Sequence, residues 1–370
     1  MRIGIIGAGQ LGLMLGTAAK ALGMRCQFLD PADEPPAAAA GTVVRRAFDD
    51  REALHVLAAE SDVVTYEFEN VPVAALTGLS DTVPVYPPPP ALEQAQDRLL
   101  EKRLFERLGI PLPDYRTVDS EADLAAAATS IGLPLIVKTR RFGYDGKGQL
   151  PLQDEAGITE TWQALGAHAL IAEQRVSFDY EVSAIGVRNP EGLTRTYPLT
   201  HNIHAGGILR QSRAPVIAPR LDTLAGEYLI TLMEALDYVG VLALELFVVG
   251  DRLLANEFAP RVHNSGHWTI EGARTSQFAN HLLAVTGQAP GDTACRGHAG
   301  MLNLIGDIPG AARNLACEDC YLHDYGKAPR PGRKLGHVTV LRDSAAERDR
   351  VMAKLAETVT QSTPTAGHPP

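Results

Sequence analysis

Short apolar runs alternate with amphipathic stretches through the first quarter of the chain. Arg2–Ile6 reads as a strand, residues 10–22 as a helix, and Arg25–Leu29 as a second strand ending at Asp30. Residues 43–45 fit a short strand, 50–59 a helix, and Val63–Tyr66 a strand running out into Glu67-Phe-Glu-Asn70. This alternation predicts an open parallel sheet over residues 1 to about 95, with ligands at the carboxyl ends of its strands. Val85-Tyr-Pro-Pro-Pro-Pro90 reads as a stiff linker. Good helix formers follow at 91–108, stopped by Gly109 and Pro111.

Beyond residue 115 or so the pattern changes. Residues 133–139 and 169–175 fit strands separated by a helix at 155–165. Residues 180–187, 193–199 and 212–217 fit further strands, read as antiparallel, before a helix at 221–236. The last stretch carries strands near 300–305 and 336–341, an amphipathic helix at 345–357, and a tail from Thr358 expected to be disordered.

At 370 residues the chain has material for two or three domains. A net charge of −10 argues against nucleic acid, which needs a basic face, but leaves room for a local anion pocket. Apolar runs break well before the roughly 20 residues of a membrane span, and the glycines after the first strand fit a mature domain better than a signal peptide. Cys317-x-x-Cys320 with His323 resembles the start of a zinc site, but no second pair stands at matching spacing. Reduced thiols in a cytoplasmic enzyme are the preferred reading.

Gly7-Ala-Gly-Gln-Leu-Gly12 follows a strand and opens a helix, and Asp30 ends the next strand, where a dinucleotide fold keeps its ribose-binding acid. NAD is one reading; close strand–helix packing beside some other phosphate is the second. Gly143, Gly146 and Gly148, with Lys138, Arg140, Arg141 and Lys147 around them, fit a mobile lid over polyphosphate better than a solvated turn. His201 and His204 read as a polar loop or a ligand pair. Lys327, Arg330, Arg333, Lys334 and His337 around Pro331-Gly332 form a basic turn, or an anion clamp if it folds back on the first domain.

The densest polar stretch is Asn256-Glu-Phe-Ala-Pro-Arg-Val-His-Asn-Ser-Gly-His267, just after an apolar run carrying Glu245. A carboxylate in such a run is costly to bury without a cation. A two-residue hairpin loop at Gly250-Asp251 pairs Glu245 with Asn256 and turns Glu257 to the other face; a three-residue loop pairs Glu245 with Glu257. Paired carboxylates repel, so the second register requires a metal between them, and oxygen ligands suit Mg2+.

Together these motifs resemble those of the 5-(carboxyamino)imidazole ribonucleotide synthases, ATP-grasp enzymes of purine biosynthesis. The resemblance takes in Gly7–Gly12, Tyr66–Asn70, Gln96-Asp-Arg98 with Lys102, residues 140–149, Glu173-Gln174, Glu181, residues 197–202, 207–209, 256–269 and 332–337, in order along the chain. Leu13, where many relatives carry arginine, is a small departure. The resemblance implies an α/β (α+β) protein of ATP-grasp fold. A Rossmann-like pre-ATP-grasp domain (1–95) would precede the ATP-grasp domain (96–294, lid about 113–180), then a small β-rich C-terminal domain (295–360) and a tail (361–370). It implies ATP-dependent carboxylation of 5-aminoimidazole ribonucleotide by bicarbonate through carboxyphosphate, with Mg2+, in a cytoplasmic homodimer.

Carried over by motif position, ATP would meet Arg98, Lys138, Gly143, Tyr144, Asp145, Gly146, Lys147, Gly148, Gln149, Glu173, Gln174, Arg175, Val176, Glu181, His204, Asn256 and Glu257. Glu245 and Glu257 would hold the metal. Arg261, His263, Asn264, Ser265 and Lys147 would serve the chemistry. The ribonucleotide would meet Gly9, Gln10, Leu11, Glu69, Tyr144, Lys147, Arg261, Lys327 and Arg333. The rivals are an NAD-dependent dehydrogenase, which leaves the lid and acidic hairpin unexplained, and a nucleotide-sensing module, which has no use for residues 261–267.

Overall fold

The computed structural model describes residues 1–143, 146–308, 310 and 319–361. Its first unit is the expected parallel sheet, β1 (Arg2–Ile6), β2 (Arg25–Leu29), β3 (Thr42–Val44) and β4 (Val63–Tyr66), in order β3-β2-β1-β4. Helices α1 (Gln10–Ala21), α2 (Arg51–Ala59) and α3 (Val73–Thr77) connect and flank it. Asp50 caps α2, its carboxylate accepting from Ala53 N at 3.1 Å.

The proline run is not a bare linker. Val85 is buried and bridges to Val64, and Pro89-Pro90 open helix α4 (Pro89–Gln96), where missing amide protons cost nothing. The single helix expected over 91–108 is broken at Asp97, which is extended at φ −127°. Its carboxylate caps α5 (Arg98–Arg107) through Leu99 N at 3.0 Å and binds the Arg140 guanidinium at 3.0 and 2.6 Å. Helix propensity loses here to a cap and a buried ion pair. The break makes Arg98 the first residue of a new helix.

A second sheet holds β5 (Tyr115–Val118), β6 (Leu135–Thr139), β7 (Gln149–Leu152) and β8 (Leu170–Gln174), ordered β5-β8-β6-β7, with helices α6 (Glu121–Ile131) and α7 (Ile158–Ala164). The expected strands at 133–139 and 169–175 and helix at 155–165 are present, trimmed at their ends. β5, α6 and β7 are additions: the Ala-rich α6 carries little amphipathic contrast, and β7 is only four residues long.

The large antiparallel sheet runs β14-β13-β9-β11-β12-β15-β17-β16, with β10 beside β9. It is built of β9 (Tyr180–Arg188), β10 (Thr194–Thr196), β11 (Thr200–Ala205), β12 (Ile208–Ala214), β13 (Gly240–Val249), β14 (Arg252–Ala259), β15 (His298–Ile305), β16 (Cys320–Asp324) and β17 (Lys334–Arg342). Where strands were expected at 193–199 and 212–217, the ladder is displaced to β10, β11 and β12. His201 and His204 therefore stand on a strand, not in a polar loop. Helix α8 (Pro219–Ala235) covers one face; α9 (Thr269–Gly272) and α10 (Gln277–Val285) follow the hairpin, and α11 (Ala345–Gln361) packs on β15. α9, α10 and β16 were not foreseen. The helix α11 runs four residues past its expected end, into the stretch read as tail, and residues 362–370 lie outside the described set.

One histidine ties the units together. His281 of α10 accepts from Val241 N at 3.1 Å through Nδ1, which leaves Nε2–H to donate to Thr65 Oγ1 of β4 at 2.9 Å. Burial pushes this imidazole down to about 3, so it stays neutral. Cys26 and Cys295 are free, whereas Cys320 is disulfide-bonded, which corrects the expectation of reduced thiols there; Cys317 lies outside the described residues. No helix among the described residues is long and apolar enough to cross a membrane.

Replacing Asp97 with Ala removes both the cap and the arginine contacts, and we expect a loss of about 2 kcal/mol in chemical denaturation. Burial works to raise the Asp97 carboxyl, but the Arg140 hydrogen bond prevails and holds it below its ordinary value. Its stabilisation is then fully present above the unfolded aspartate pKa of about 4 and lost as pH falls below it. The gap between wild type and variant should narrow on acidification; a gap that widens toward pH 3 would contradict the pairing.

Candidate active site

The three sheets meet around a cavity of about 890 Å3. Its floor is the β13–β14 hairpin, and its register is neither of the two expected in simple form. Val249 pairs with Arg252, so the loop is the two-residue Gly250-Asp251 turn. A bulge then intervenes: Leu246 faces Ala255, but Glu245 faces Glu257, with Asn256 as the extra residue. The carboxylates are opposed after all, by a bulge and not by a longer loop.

Their environments differ. Burial works to raise Glu257, but Arg98 Nη1, 2.8 Å from its Oε2, holds it ionised and well below the carboxylate range. Glu245 is pushed up by burial and then by the negative charge of Glu257. Its nearest base is His263, whose Nε2 lies 3.3 Å from Glu245 Oε1. His263 Nδ1 accepts from Ser265 N at 3.3 Å, which puts the ring proton on Nε2, facing Glu245. Burial, with Arg261 and Lys334 nearby, keeps this imidazole neutral. His204 and Lys334 act against the rise without cancelling it, so positive charge falls short on the Glu245 side.

The oxygen donors Glu245, Glu257 and Asn256 all line the cavity. Among the described residues no three His, Cys, Asp or Glu side chains gather as a metal set. Two carboxylates and an amide are what a hard divalent ion needs from a protein when it shares its shell with water and phosphate oxygens. The donor set and the charge deficit fit Mg2+.

Arg261 Nη2 meets Glu69 Oε1 at 2.9 Å, and burial of the guanidinium is outweighed by this partner, which raises its pKa further. Beside it Asn264 has both amide atoms buried and without a partner among the described residues. Ser265 is fully buried and does not line the cavity; its hydroxyl, 2.9 Å from His263 Nδ1, holds that ring in place. Gln277 of α10 grips the His263 backbone at both ends, accepting from its N–H at 2.9 Å and donating to its carbonyl at 2.7 Å. Only the fold reveals this residue, because α10 is remote in sequence from the motif it supports.

On the opposite wall, Lys138 Nζ lies 3.0 Å and Lys102 Nζ 3.4 Å from Glu173 Oε2. Burial would raise Glu173, but these lysines and Arg98 hold it down at about 2. Gln174, Arg175 and Val176 continue from it along the cavity rim, where Phe178 stacks on Phe247 at 4.8 Å between ring centres. This aromatic pair was not singled out in sequence, since lone phenylalanines carry no motif. His204 Nδ1 binds Glu181 Oε2 at 2.6 Å; burial lowers the imidazole, yet this carboxylate wins and raises it.

In the glycine-rich loop, Gly143, Gly146, Lys147 and Gln149 line the cavity, while Tyr144 and Asp145 lie outside the described residues. Gly146 has φ +76°, and a Cβ there would stand 3.0 Å from the Gly207 Cα, so the loop tip rests on the β11–β12 turn. Gly148 does not line the cavity; it pairs with Thr139 through its carbonyl at 2.8 Å.

The N-terminal glycine loop departs from the first of its two expectations. The Glu67 carboxylate accepts from Gly9 N at 2.7 Å and Gly12 N at 3.2 Å, and Asp30 accepts from Ala8 N and Ala32 N, each at 2.8 Å. An acid already occupies part of the helix N-terminus, and Asp30 is spent on the glycine loop and on its own turn and not on a ribose. This removes the geometric case for a dinucleotide. The amides of Gln10 and Leu11 remain for a ligand, and Gln10 Oε1 is held by Lys327 Nζ of the basic C-terminal loop. That loop does fold back on the first unit, but Arg333 turns to Ala328 O at 3.2 Å and Lys334 lines the cavity in its place. Burial and Arg333 lower Lys327 to about 8.

Comparison with known proteins agrees with this geometry. Residues 1–96 match the ribonucleotide synthetase preATP-grasp domain, 103–278 the ATP-grasp domain, and 299–350 the phosphoribosylaminoimidazole carboxylase C-terminal domain. The N5-carboxyaminoimidazole ribonucleotide synthase of Pseudomonas aeruginosa is 51% identical, covering 96% of this chain and 98% of its own. That of Brucella melitensis is 47% identical over 91% of this chain and 95% of its own. The Thermus thermophilus synthetase structure superposes with a TM-score of 0.93 at 50% identity, covering 97% of this chain and 98% of that one. The Aspergillus clavatus synthase in complex with ADP and 5-aminoimidazole ribonucleotide gives 0.90 at 30%, with coverages of 97% and 98%.

Replacing Gln277 with Met keeps the buried volume but leaves the His263 amide and carbonyl unpaired. We expect a loss of about 1–3 kcal/mol in thermal unfolding together with reduced turnover. Unchanged stability in this variant would show that the clamp is dispensable.

Proposed function

Because the chain belongs to the N5-carboxyaminoimidazole ribonucleotide synthase family, we propose that it carboxylates 5-aminoimidazole ribonucleotide with bicarbonate, converting ATP to ADP and phosphate. The observation that carries this reading is the opposed pair Glu245 and Glu257, only the second of them matched by a close cation, facing Arg98, Lys138, Arg261 and Asn264 across one cavity. A nucleotide's triphosphate would run along the cationic wall, its base between the 173–176 strand end and the Phe178–Phe247 stack. Mg2+, held by Glu245 and Glu257, would supply charge neutralisation for the phosphoryl oxygens.

Arg261 and Asn264 hold bicarbonate in this reading, with its oxygen in line with the γ-phosphorus. That oxygen bonds to phosphorus as the bond to the β-phosphate oxygen breaks, releasing ADP and leaving carboxyphosphate. Arg98 and Lys138 stabilise the charge that spreads over the phosphoryl group. The product hydrolyses readily, so residues 142–148 must close over it and exclude water, with Lys147 at the contact. The ribonucleotide's amine then bonds to the carboxyl carbon, and phosphate leaves with the amine proton. Lys147, Lys327, Lys334 and Glu69 would hold the ribonucleotide, its phosphate at the free amides of Gln10 and Leu11. The same reading places the domain boundaries near residues 96 and 295, and takes the protein to be a cytoplasmic homodimer.

ADP release measured with each substrate omitted in turn tests the reaction: it should require both bicarbonate and the ribonucleotide for full rate. Tight NADH binding, or full-rate ADP release without ribonucleotide, would sink it. Glu257→Gln should cut Mg2+-dependent turnover about a hundredfold or more with the fold intact. Near-normal rates at saturating Mg2+ would defeat the metal assignment.

A further inference from the structure

Helix α5 sends two adjacent charged side chains into the protein interior. Glu101 is 2% and Lys102 1% exposed. Burying both is costly unless they satisfy something specific. Besides Glu173, whose Oε2 lies 3.4 Å from Lys102 Nζ, their partners are the extra residue of β14 itself and the residue two places on, one on each side of Glu257: Lys102 Nζ donates to Asn256 O at 2.6 Å, and Glu101 Oε1 accepts from Phe258 N at 2.7 Å. β14 is the sheet edge, with only β13 beside it.

In a regular antiparallel edge strand, the outward backbone groups belong to alternate residues. Ala255 points its N–H outward, to Pro111 O at 2.7 Å. Regular alternation would next turn Glu257 outward and keep the Asn256 and Phe258 groups facing β13. The opposite is observed, and the phase changes at the bulge. The two outward groups this change creates are the ones that Lys102 and Glu101 satisfy.

We propose that Glu101 and Lys102 are positioning residues that hold the bulge at Asn256 and so keep Glu257 opposite Glu245 on the cleft face. Without the bulge, Glu245 opposes Asn256, Glu257 turns to the other face of the hairpin, and the cleft loses one of its two carboxylates. The inference rests on the reading of Glu245 and Glu257 as the metal-holding pair. Burial raises the Glu101 carboxyl to about 8, with Lys102 acting against it.

The test is binding, without turnover. Affinity for ADP is measured by calorimetry with and without Mn2+, and the ratio of the two reports the metal site alone. Glu101→Ala should lower the ratio about tenfold or more while metal-free ADP binding stays close to wild type. Glu101→Gln, which still accepts from Phe258 N–H, should restore it. Lys102→Met keeps the buried volume, removes the donor to Asn256 O, and should lower the same ratio, which provides the measurement should Glu101→Ala not fold. A wild-type ratio in Glu101→Ala or Lys102→Met, or a Glu101→Gln as impaired as the alanine variant, overturns the proposal. Glu257→Gln separates the two readings: if it too keeps the wild-type ratio, the metal assignment fails; if it alone loses it, only the positioning role does.

Discussion

Glu245 and Glu257 stand opposite one another on neighbouring strands inside a cavity, and like charges so placed repel unless cations come to them. The cations arrive from distant parts of the chain. Arg98 heads a helix that exists as a separate element because Asp97 breaks the preceding one. Lys138 comes from the second sheet, and Lys334 from the last strand of the third. The second and third sheets and helix α5 thus meet at a charge arrangement that none of them satisfies alone.

The same constraint governs the first unit. A glycine loop at a helix N-terminus is a ready anion site, but here Glu67 and Asp30 take amides that would otherwise be offered to a ligand. What remains is a small opening at Gln10 and Leu11, closed from the far side by the basic loop through Lys327. A site so reduced suits a single phosphate better than the pyrophosphate of a dinucleotide.

Neutral histidines fix the joints between units. His281 links β4 to β13, and His263 is held by Gln277 and Ser265 so that its Nε2 faces Glu245. His323 stacks on His337, which meets His267 at a tilt, where the last unit meets α9, with His323 bound to Glu271 at 2.8 Å. Burial holds His267 and His337 well below the usual imidazole range, so they act there as packed, uncharged rings.

Much was legible in the chain itself. The parallel sheet, the antiparallel strands and the acidic hairpin follow from apolar spacing, because side-chain period decides which face is buried. The polar string from Asn256 to His267 marks the chemistry, since so many charges beside an apolar run have no bland use. Local pattern could not reveal the break at Asp97, where a cap and two arginines from residues 140 and 141 override helix propensity. Nor could it choose the hairpin register: turn length alone pointed to one pairing, and the bulge at Asn256 produced the other. That bulge is held by Glu101 and Lys102, more than 150 residues earlier in the chain. Residue type and period are local properties and can be read from sequence; which buried charge answers which backbone group is settled only when distant segments pack.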